Sequence, residues 1–308
     1  MATQRQSIIR GPGTVTFGGV KFYDASGITA EIDSATQQVP SSIAGDLDTI
    51  KTDQTGKIAL TPVGNLSEAL IAVLFPEWLR SPEIGRSVFG STDSPLVISS
   101  KAGQKVTFHC AALTKVPDLQ LSPVKTAFGQ AEFTALLANG KLPTDANSLY
   151  AVAAAAYADG EPPRTGLTGF HYTGVIGNNV LVIPDTVDGW TVNIEVNLQP
   201  VTTDSQGTID YTLGGVRARA TCTPLGLPES QILGALPALQ GRGASIAGAN
   251  DLVISATGGL AVTLKCASLV TGPLNWGTTT LRAGQIGFEA NIDPEDGSLF
   301  DVEYTDPE

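Results

Sequence analysis

Histidine is the side chain best suited to acid–base catalysis near neutral pH, and the chain contains only two, His109 and His171. His109 lies in an alternating apolar segment whose later counterpart carries Lys265, so we expect it on the face of a β-strand. His171 stands beside Tyr172 with no nucleophile motif nearby. The sequence has no Gly-x-Ser-x-Gly elbow, and the histidines therefore give no positive signal for a Ser–His–Asp site.

Carboxylates suggest two other kinds of chemistry. Asp46 and Asp48 form a close pair of the type that glycosidases use, but such pairs are commonplace. The acidic cluster at 293–296 has oxygen ligands suited to calcium, although Gly297 is misplaced for an EF-hand loop. A solvated hairpin is the favoured interpretation of this cluster.

The three cysteines do not form a metal-binding or disulfide motif. Cys110 and Cys266 occupy matching positions in two similar segments, and Cys222 stands where the other segment has Leu60. A cysteine that exchanges with leucine acts as a small hydrophobic residue. The odd count and the spacing argue against a disulfide framework or a zinc site and favour assembly in a reducing compartment.

Two glycine-rich stretches lack the context of a nucleotide site. Residues 11–13 precede a strand pattern and not a helix, and residues 241–243 lack the Lys-Ser/Thr of a P-loop. We therefore expect no catalytic residue, no metal and no cofactor, and a protein that is not an enzyme.

Composition points to a β-rich protein of about two domains. The chain has 308 residues, of which 42% are hydrophobic and 16% charged, with 34 glycines and 19 prolines. Residues 1–150 carry 12 Lys and Arg against 13 Asp and Glu, whereas residues 151–308 carry 6 against 17, giving net charges of −1 and −11. This balance argues against tight binding to a phosphate backbone. The sequence shows no signal-peptide pattern and no apolar run of about 18 residues that could cross a membrane.

The strongest pattern is an internal repeat. Residues 61–64 return as 223–226, 162 positions later, and residues 96–99 return as 252–255, 156 positions later. Several single residues match at the first offset, namely Gly27 with Gly189, Ile32 with Ile194, Gly45 with Gly207, and Asp48 with Asp210. Matched glycines fix turns and matched apolar positions fix core faces, so one backbone plan is predicted to occur twice.

The repeat also predicts the fold class, the domain boundaries and the main secondary-structure elements. We predict a mainly β fold of two tandem repeats, each an antiparallel β-sandwich or barrel-like domain with one short helix. The first domain covers 1–160, including an N-terminal arm and a linker from about 144, and the second covers 161–308. The clearest strand is Trp190–Leu198, and a capped helix is predicted over 65–75, with its counterpart over 228–236.

A resemblance rests on several of these features together. They are the Gly-Pro-Gly-strand segment at 11–17, the Thr-Pro-Val-Gly turn at 61–64, the helix ending in Leu74-Phe75-Pro76, and the Gly129-Gln130…Phe133 strand. In the second repeat, residues 242–245 and 252–255 add to them. In this order the features resemble the major tail proteins, or tail tube proteins, of long-tailed bacteriophages, in a variety with a duplicated tube domain.

The resemblance implies a structural virion protein. Three chains with two repeats each would form a pseudo-hexameric ring, and stacked rings would form the hollow tail tube through which DNA is ejected into the host. Expected partners are other copies of the chain, the tape measure inside the tube, and terminator and baseplate proteins at its ends, with double-stranded DNA in transit and not specifically bound. Assembly in the host cytoplasm is implied, with no membrane insertion. The alternatives are another tail ring component, such as a terminator or baseplate protein, and a β-sandwich carbohydrate-binding adhesin.

Two sets of site residues follow from the resemblance and the charge distribution. The acids expected to face the lumen are Glu195 and Asp210, because they lie on or beside strands with a polar face, and Asp48, because it is the repeat equivalent of Asp210. Residues 39–54 lack periodicity and are rich in Ser, Asp and Thr, so we predict a long exposed loop or loose hairpin that contacts another ring or subunit. The candidate contact residues in it are Val39, Ser42, Asp46, Asp48 and Asp53.

Overall fold

Antiparallel strands make up most of the structure. The computed structural model describes residues 9–11, 13–25, 27–43, 45–63, 66–92, 94–101, 103–122, 128–138, 149–155, 172–177, 181–225, 250–271, 274–276 and 281–305. The predicted mainly β, antiparallel fold is confirmed.

Strands of the first half, apart from β9, belong to one ten-stranded sheet with the path β1-β4-β5-β10-β8-β7-β2-β3-β6, and β11 pairs with β8. Their bounds are β1 (Ile9–Gly11), β2 (Gly13–Phe17), β3 (Val20–Asp24), β4 (Ile28–Ser41), β5 (Gly45–Leu60), β6 (Pro62–Val63), β7 (Ser94–Ser100), β8 (Gln104–Lys115), β9 (Leu119–Leu121), β10 (Ala131–Leu136) and β11 (Tyr150–Ala154). The helices in this half are α1 (Glu68–Leu74), α2 (Glu77–Arg80) and α3 (Phe89–Thr92).

Strands of the second half form two five-stranded sheets and a separate two-stranded sheet. Their bounds are β12 (Tyr172–Ile176), β13 (Leu181–Ile183), β14 (Asp185–Thr203), β15 (Gly207–Leu225), β16 (Leu252–Ala256), β17 (Leu260–Leu264), β18 (Ser268–Thr271), β19 (Leu274–Trp276), β20 (Leu281–Ala283), β21 (Ile286–Glu289) and β22 (Phe300–Tyr304). The sheet orders are β13-β12-β16-β17-β22, β18-β21-β15-β14-β9 and β19-β20. Strand β9, from the first half, therefore completes a sheet of the second half.

Helix α1 forms where its capping residue and apolar stripe predict it. The Oγ of Ser67 accepts a hydrogen bond from the backbone N–H of Leu70 at 3.2 Å, and Leu70, Ile71 and Leu74 are buried. Pro76 follows the helix and separates it from α2. The counterpart predicted over 228–236 lies outside the described residues.

Strand β14 shows the alternation that its sequence predicts. Trp190, Val192 and Ile194 are buried, whereas Glu195 and Asn197 are exposed. The Trp190 ring packs against the ring of Phe288 in β21, with centroids 6.2 Å apart. This face of the sheet therefore belongs to the core of the second half.

Of the two alternatives predicted for residues 39–54, a long loop or a loose hairpin, the structure has a hairpin. Strands β4 and β5 stay paired as far as Ser41 and Gly45, so this segment is the end of a long hairpin. Register shifts at 35–36 and 39–40 interrupt the two-residue period, which is why the sequence shows no alternation. Of the candidate contact residues, Val39 lies in β4, Ser42 in the turn, and Asp46, Asp48 and Asp53 in β5.

Backbone pairing in the second half corresponds to that in the first. Every residue pair of β16–β17 lies 156 positions after a pair of β7–β8. From 191 to 203, every pair of β14–β15 lies 162 positions after a pair of β4–β5, and two register shifts recur at matching places. Two tandem sandwich domains stay a prediction, because β9 joins the sheets of the halves and the proposed boundary at 160 lies outside the described residues.

Candidate functional site

The structure places some of the residues that were considered for chemistry. His109 is exposed on β8, and His171 lies outside the described residues. Burial raises the pKa of the Cys222 thiol to about 12, which keeps it protonated and unreactive near neutral pH. Within the described part of the chain, no group of three His, Cys, Asp or Glu residues could hold a metal ion. Asp293 and Asp296 accept backbone hydrogen bonds from Glu295 and Ser298.

The three acids proposed for a lumen lie on the two long hairpins but in different environments. Asp48 and Glu195 are exposed, and Glu195 lies directly opposite Arg217 of β15. Asp210 is half-buried, and its Oδ1 accepts hydrogen bonds from the backbone N–H groups of Phe89 (3.0 Å) and Tyr211 (2.7 Å). Asp210 therefore joins the two halves of the chain.

Charge is shared evenly between the hairpins. Residues 28–60 and residues 185–225 each contain five acidic and two basic side chains. The difference between −1 and −11 for the two halves thus arises outside the hairpins. Each hairpin is acidic by itself.

The two long hairpins contact each other. The Thr208 hydroxyl, near the turn of β14–β15, donates a hydrogen bond to Asp53 Oδ2 of β5 at 2.8 Å. A Cβ added at Gly207 would lie 2.6 Å from Asp53 Cγ, so only glycine fits at this contact. Asp53, proposed as a contact residue, does make a contact, but within one chain.

A short segment of the first half adds to the same contact. Gly85 N–H donates to Leu213 O at 2.7 Å, and Leu213 N–H donates to Arg86 O at 3.0 Å. Val88 N–H donates to Tyr211 O at 2.9 Å, and the Tyr211 ring packs against Phe89. Burial, and secondarily the Asp53 charge, raise the pKa of Tyr211. Residues 85–89 therefore pair with β15 through backbone and ring contacts.

Two further contacts link the halves. Arg80 Nη1 lies 2.8 Å from Asp301 Oδ1 in β22, and Leu299 N–H donates to Arg80 O at 2.7 Å. Asn193 of β14 donates to Asp118 Oδ1 at 2.7 Å, beside the pairing of β9 with β14. Together, these contacts join residues 53, 80–89 and 118–121 of the first half to the second half. We call them the half-to-half interface.

The end of the β4–β5 hairpin exposes large apolar side chains. Ile43 is 96% exposed, Leu47 64% and Ile50 52%. The equivalent turn of β14–β15 is polar, with Thr203, Asp204 and Gln206. Apolar side chains at a solvated hairpin end are typical of an interaction surface.

Comparison with models of known protein families gives no match, and comparison with curated protein sequences gives none either. In the described part of the chain, no helix has the length and apolar character needed to cross a membrane. Sequence reasoning did not find the half-to-half interface. The one signal for it was the Asp48–Asp210 match, which marks Asp210 as part of the repeated plan without indicating its partner.

Proposed function

We propose that this chain is a structural virion protein that assembles into stacked rings and forms the hollow tail tube of a long-tailed phage. Three chains would form a ring, each contributing two equivalent halves. The observation that carries the proposal is the contact between two hairpins whose strands correspond pair by pair.

A contact between equivalent units that uses two different surfaces can repeat. In the half-to-half interface, the first half contributes Asp53 of β5, residues 80–89 and β9, and the second half contributes β14, β15 and β22. The first half has its own counterparts of those second-half strands, namely β4, β5 and β11. Such head-to-tail contacts generate a closed ring when the rotation closes. A ring would also cover strand edges that an isolated chain leaves open to aggregation.

The hairpins have the character needed for the wall of a DNA conduit. They are the longest paired elements, with strands of 14 to 19 residues, and each is acidic. Double-stranded DNA carries one negative charge per about 1.7 Å of its axis. Acidic side chains within about 8 Å of it at physiological salt would repel it and keep it from adhering. Asp48 and Glu195, both exposed, are the proposed wall residues; Asp210 is engaged at the half-to-half interface.

The exposed apolar end of the β4–β5 hairpin fits a contact between stacked rings. Ile43 and Leu47 have little reason to remain exposed in a protein that acts as a monomer. This retains the proposed contact role of residues 39–54 but assigns it to a hairpin end. The tape measure, the terminator, the baseplate and location in the virion are parts of the same proposal.

The carbohydrate-binding alternative needs exposed aromatic side chains. Trp78 and Trp190 are 3% and 1% exposed and belong to the core, so they cannot act as binding platforms. A terminator or baseplate ring would share the ring-forming contact but would not stack into long tubes.

Electron microscopy and mass measurement of the purified full-length protein test the proposal. We expect tubes in negative stain, together with rings of three chains, three times 31.8 kDa or about 95 kDa, by light scattering. Isolated rings without tubes would favour the terminator or baseplate alternative. A monomer at every concentration would refute the proposed function.

A further inference from the structure

Strand β19 is the counterpart of β9. Leu119 in β9 forms an antiparallel bridge with Phe128, and Leu274 in β19 pairs with Ala283. Both members of the second pair lie 155 positions after those of the first, the same offset that relates β10 to β21. The two segments therefore hold equivalent positions in their halves.

Strands β9 and β19 differ at the edge that faces away from the pairing just described. Strand β9 pairs through that edge with Trp190, Thr191 and Val192 of β14. Among the described strands, β19 pairs only with β20. By this equivalence, the acceptor for β19 is the segment of the first half that corresponds to residues 190–192 of β14.

That segment is residues 28–30 of β4, and β1 is paired with it. Ile9 pairs with Ala30, Arg10 with Thr29, and Gly11 with Ile28. Leu119 likewise pairs with Val192, Gln120 with Thr191, and Leu121 with Trp190. Strand β1 thus lies on β4 in the same direction and register as β9 on β14.

We propose that β19 of one copy pairs with residues 28–30 of β4 in a second copy, and that β1 is a resident strand which β19 replaces. This rests on the self-assembly in the proposed function and names its strand-exchange site. A second copy is the fitting occupant because the equivalent acceptor, β14, is already filled by β9 of the same chain. Addition of a strand to a sheet edge uses backbone hydrogen bonds, so it does not require matching side chains. With only three residues, β1 protects the edge of the unassembled chain and can still be displaced.

A mixed-copy disulfide experiment tests the pairing. Thr29→Cys is made in one preparation and Asn275→Cys in another that carries a tag, and the two are mixed, assembled and mildly oxidised. By analogy with Thr191 and Gln120, positions 29 and 275 would be directly opposite, with Cα atoms about 4.5–5.5 Å apart, which suits a disulfide. We expect a covalent heterodimer in the mixture and no covalent dimer in either variant alone, where the introduced cysteine has no introduced cysteine opposite it.

An intrachain pair provides the matched control. Thr191→Cys with Gln120→Cys in one chain should form an intrachain disulfide and give no covalent dimer, because these positions are already paired. If this control oxidises and tubes form without the heterodimer, the inference is refuted and the proposed function stands. If neither tubes nor rings form and no heterodimer appears, both are refuted.

Deletion of β1 tests its replacement. Removing residues 2–11 should lower the concentration at which rings appear by about threefold to tenfold, since about three cross-strand pairs no longer compete. Removing residues 2–7, which leaves β1 in place, should have no such effect. Rings that appear at an unchanged or higher concentration in the longer deletion would show that β1 remains on β4 in the assembly and would overturn the displacement.

Discussion

Gly207 and Gly45 offer a matched test of the contact between the two hairpins. They occupy equivalent turn positions, and their φ angles are +72° and +76°. A Cβ at Gly45 would meet nothing within 4 Å, whereas a Cβ at Gly207 would lie 2.6 Å from Asp53 Cγ and 2.9 Å from Asp53 Cβ. Substitution by alanine therefore imposes the same backbone strain at both sites and a steric clash at only one.

The difference between the two variants can be estimated. Placing alanine in the left-handed region costs about 1–2 kcal/mol at either position. At Gly207 the Asp53 side chain must also move, and the 2.8 Å hydrogen bond from Thr208 to its carboxylate is lost. A hydrogen bond to a charged group contributes about 1.5–3 kcal/mol, and we take about 2 kcal/mol because Asp53 is only half-buried. Gly207→Ala should therefore destabilise by about 2 kcal/mol more than Gly45→Ala, or about 3 °C in thermal midpoint.

Thermal and urea unfolding followed by circular dichroism measure this difference. The double variant Asp53→Ala/Gly207→Ala provides the control, because removal of the carboxylate removes the closest contacts and leaves only Asp53 Cβ, 2.9 Å away. In that background Gly207→Ala should cost little more than the backbone strain. Equal losses for Gly45→Ala and Gly207→Ala, or a loss at Gly207 that Asp53→Ala leaves unchanged, would refute the proposed hairpin contact.

Four other predictions concern the core, the interface and the wall. Gly174→Ala places a Cβ against Cζ2 of the Trp190 ring and 2.7 Å from its Cη2, and should destabilise by about 2–3 kcal/mol. Trp190→Leu should reduce that cost in a double-mutant cycle. The pKa of Cys222 is raised to about 12 in the folded protein from an unfolded value near 9, so between these pH values only the unfolded state loses the thiol proton. Folding stability should therefore fall as the pH rises from about 9 to 12. Over this range the urea midpoint of Cys222→Ala should fall less than that of the unsubstituted protein. Arg80→Met and Asp301→Asn should show a coupling of about 1 kcal/mol that weakens in 1 M salt, as expected for a partly exposed ion pair; zero coupling at low salt would contradict the contact. The double variant Asp48→Lys/Glu195→Lys should still form tubes, but in co-sedimentation these tubes should retain DNA at low salt and release it at about 0.5 M salt. Tubes of the control variant Glu303→Lys, on β22, should not retain DNA. Equal DNA retention by both variants would place the hairpin acids outside the lumen.

Several local features could be predicted from the sequence because short-range physics determines them. Ser67 caps α1, and Pro76 separates α1 from α2. The alternation of Trp190–Leu198 indicates one buried and one solvated face, which β14 has over its central residues. The hairpin over 39–54 was harder to predict, because two register shifts break the period by which a strand is recognised.

The internal offsets of 162 and 156 already contained the pairing plan. Matched glycines and apolar residues place turns and core faces at matched positions, and the register of β14–β15 follows that of β4–β5 through both shifts. The sequence by itself thus determined the β class, many of the strands and the correspondence between the halves. It also placed Asp48 and Asp210 at equivalent positions.

Only the tertiary structure decided how the halves meet. Asp53 and Thr208 are 155 positions apart, and Arg80 and Asp301 are 221 apart, so neither pair lies within a local pattern. The same structure gave Asp48 and Asp210 different roles, since only Asp210 accepts a hydrogen bond from the other half. Periodicity reports which side chains are buried, but the partner of a surface depends on how all the sheets pack together, and that arrangement is set by long-range contacts that no segment contains alone.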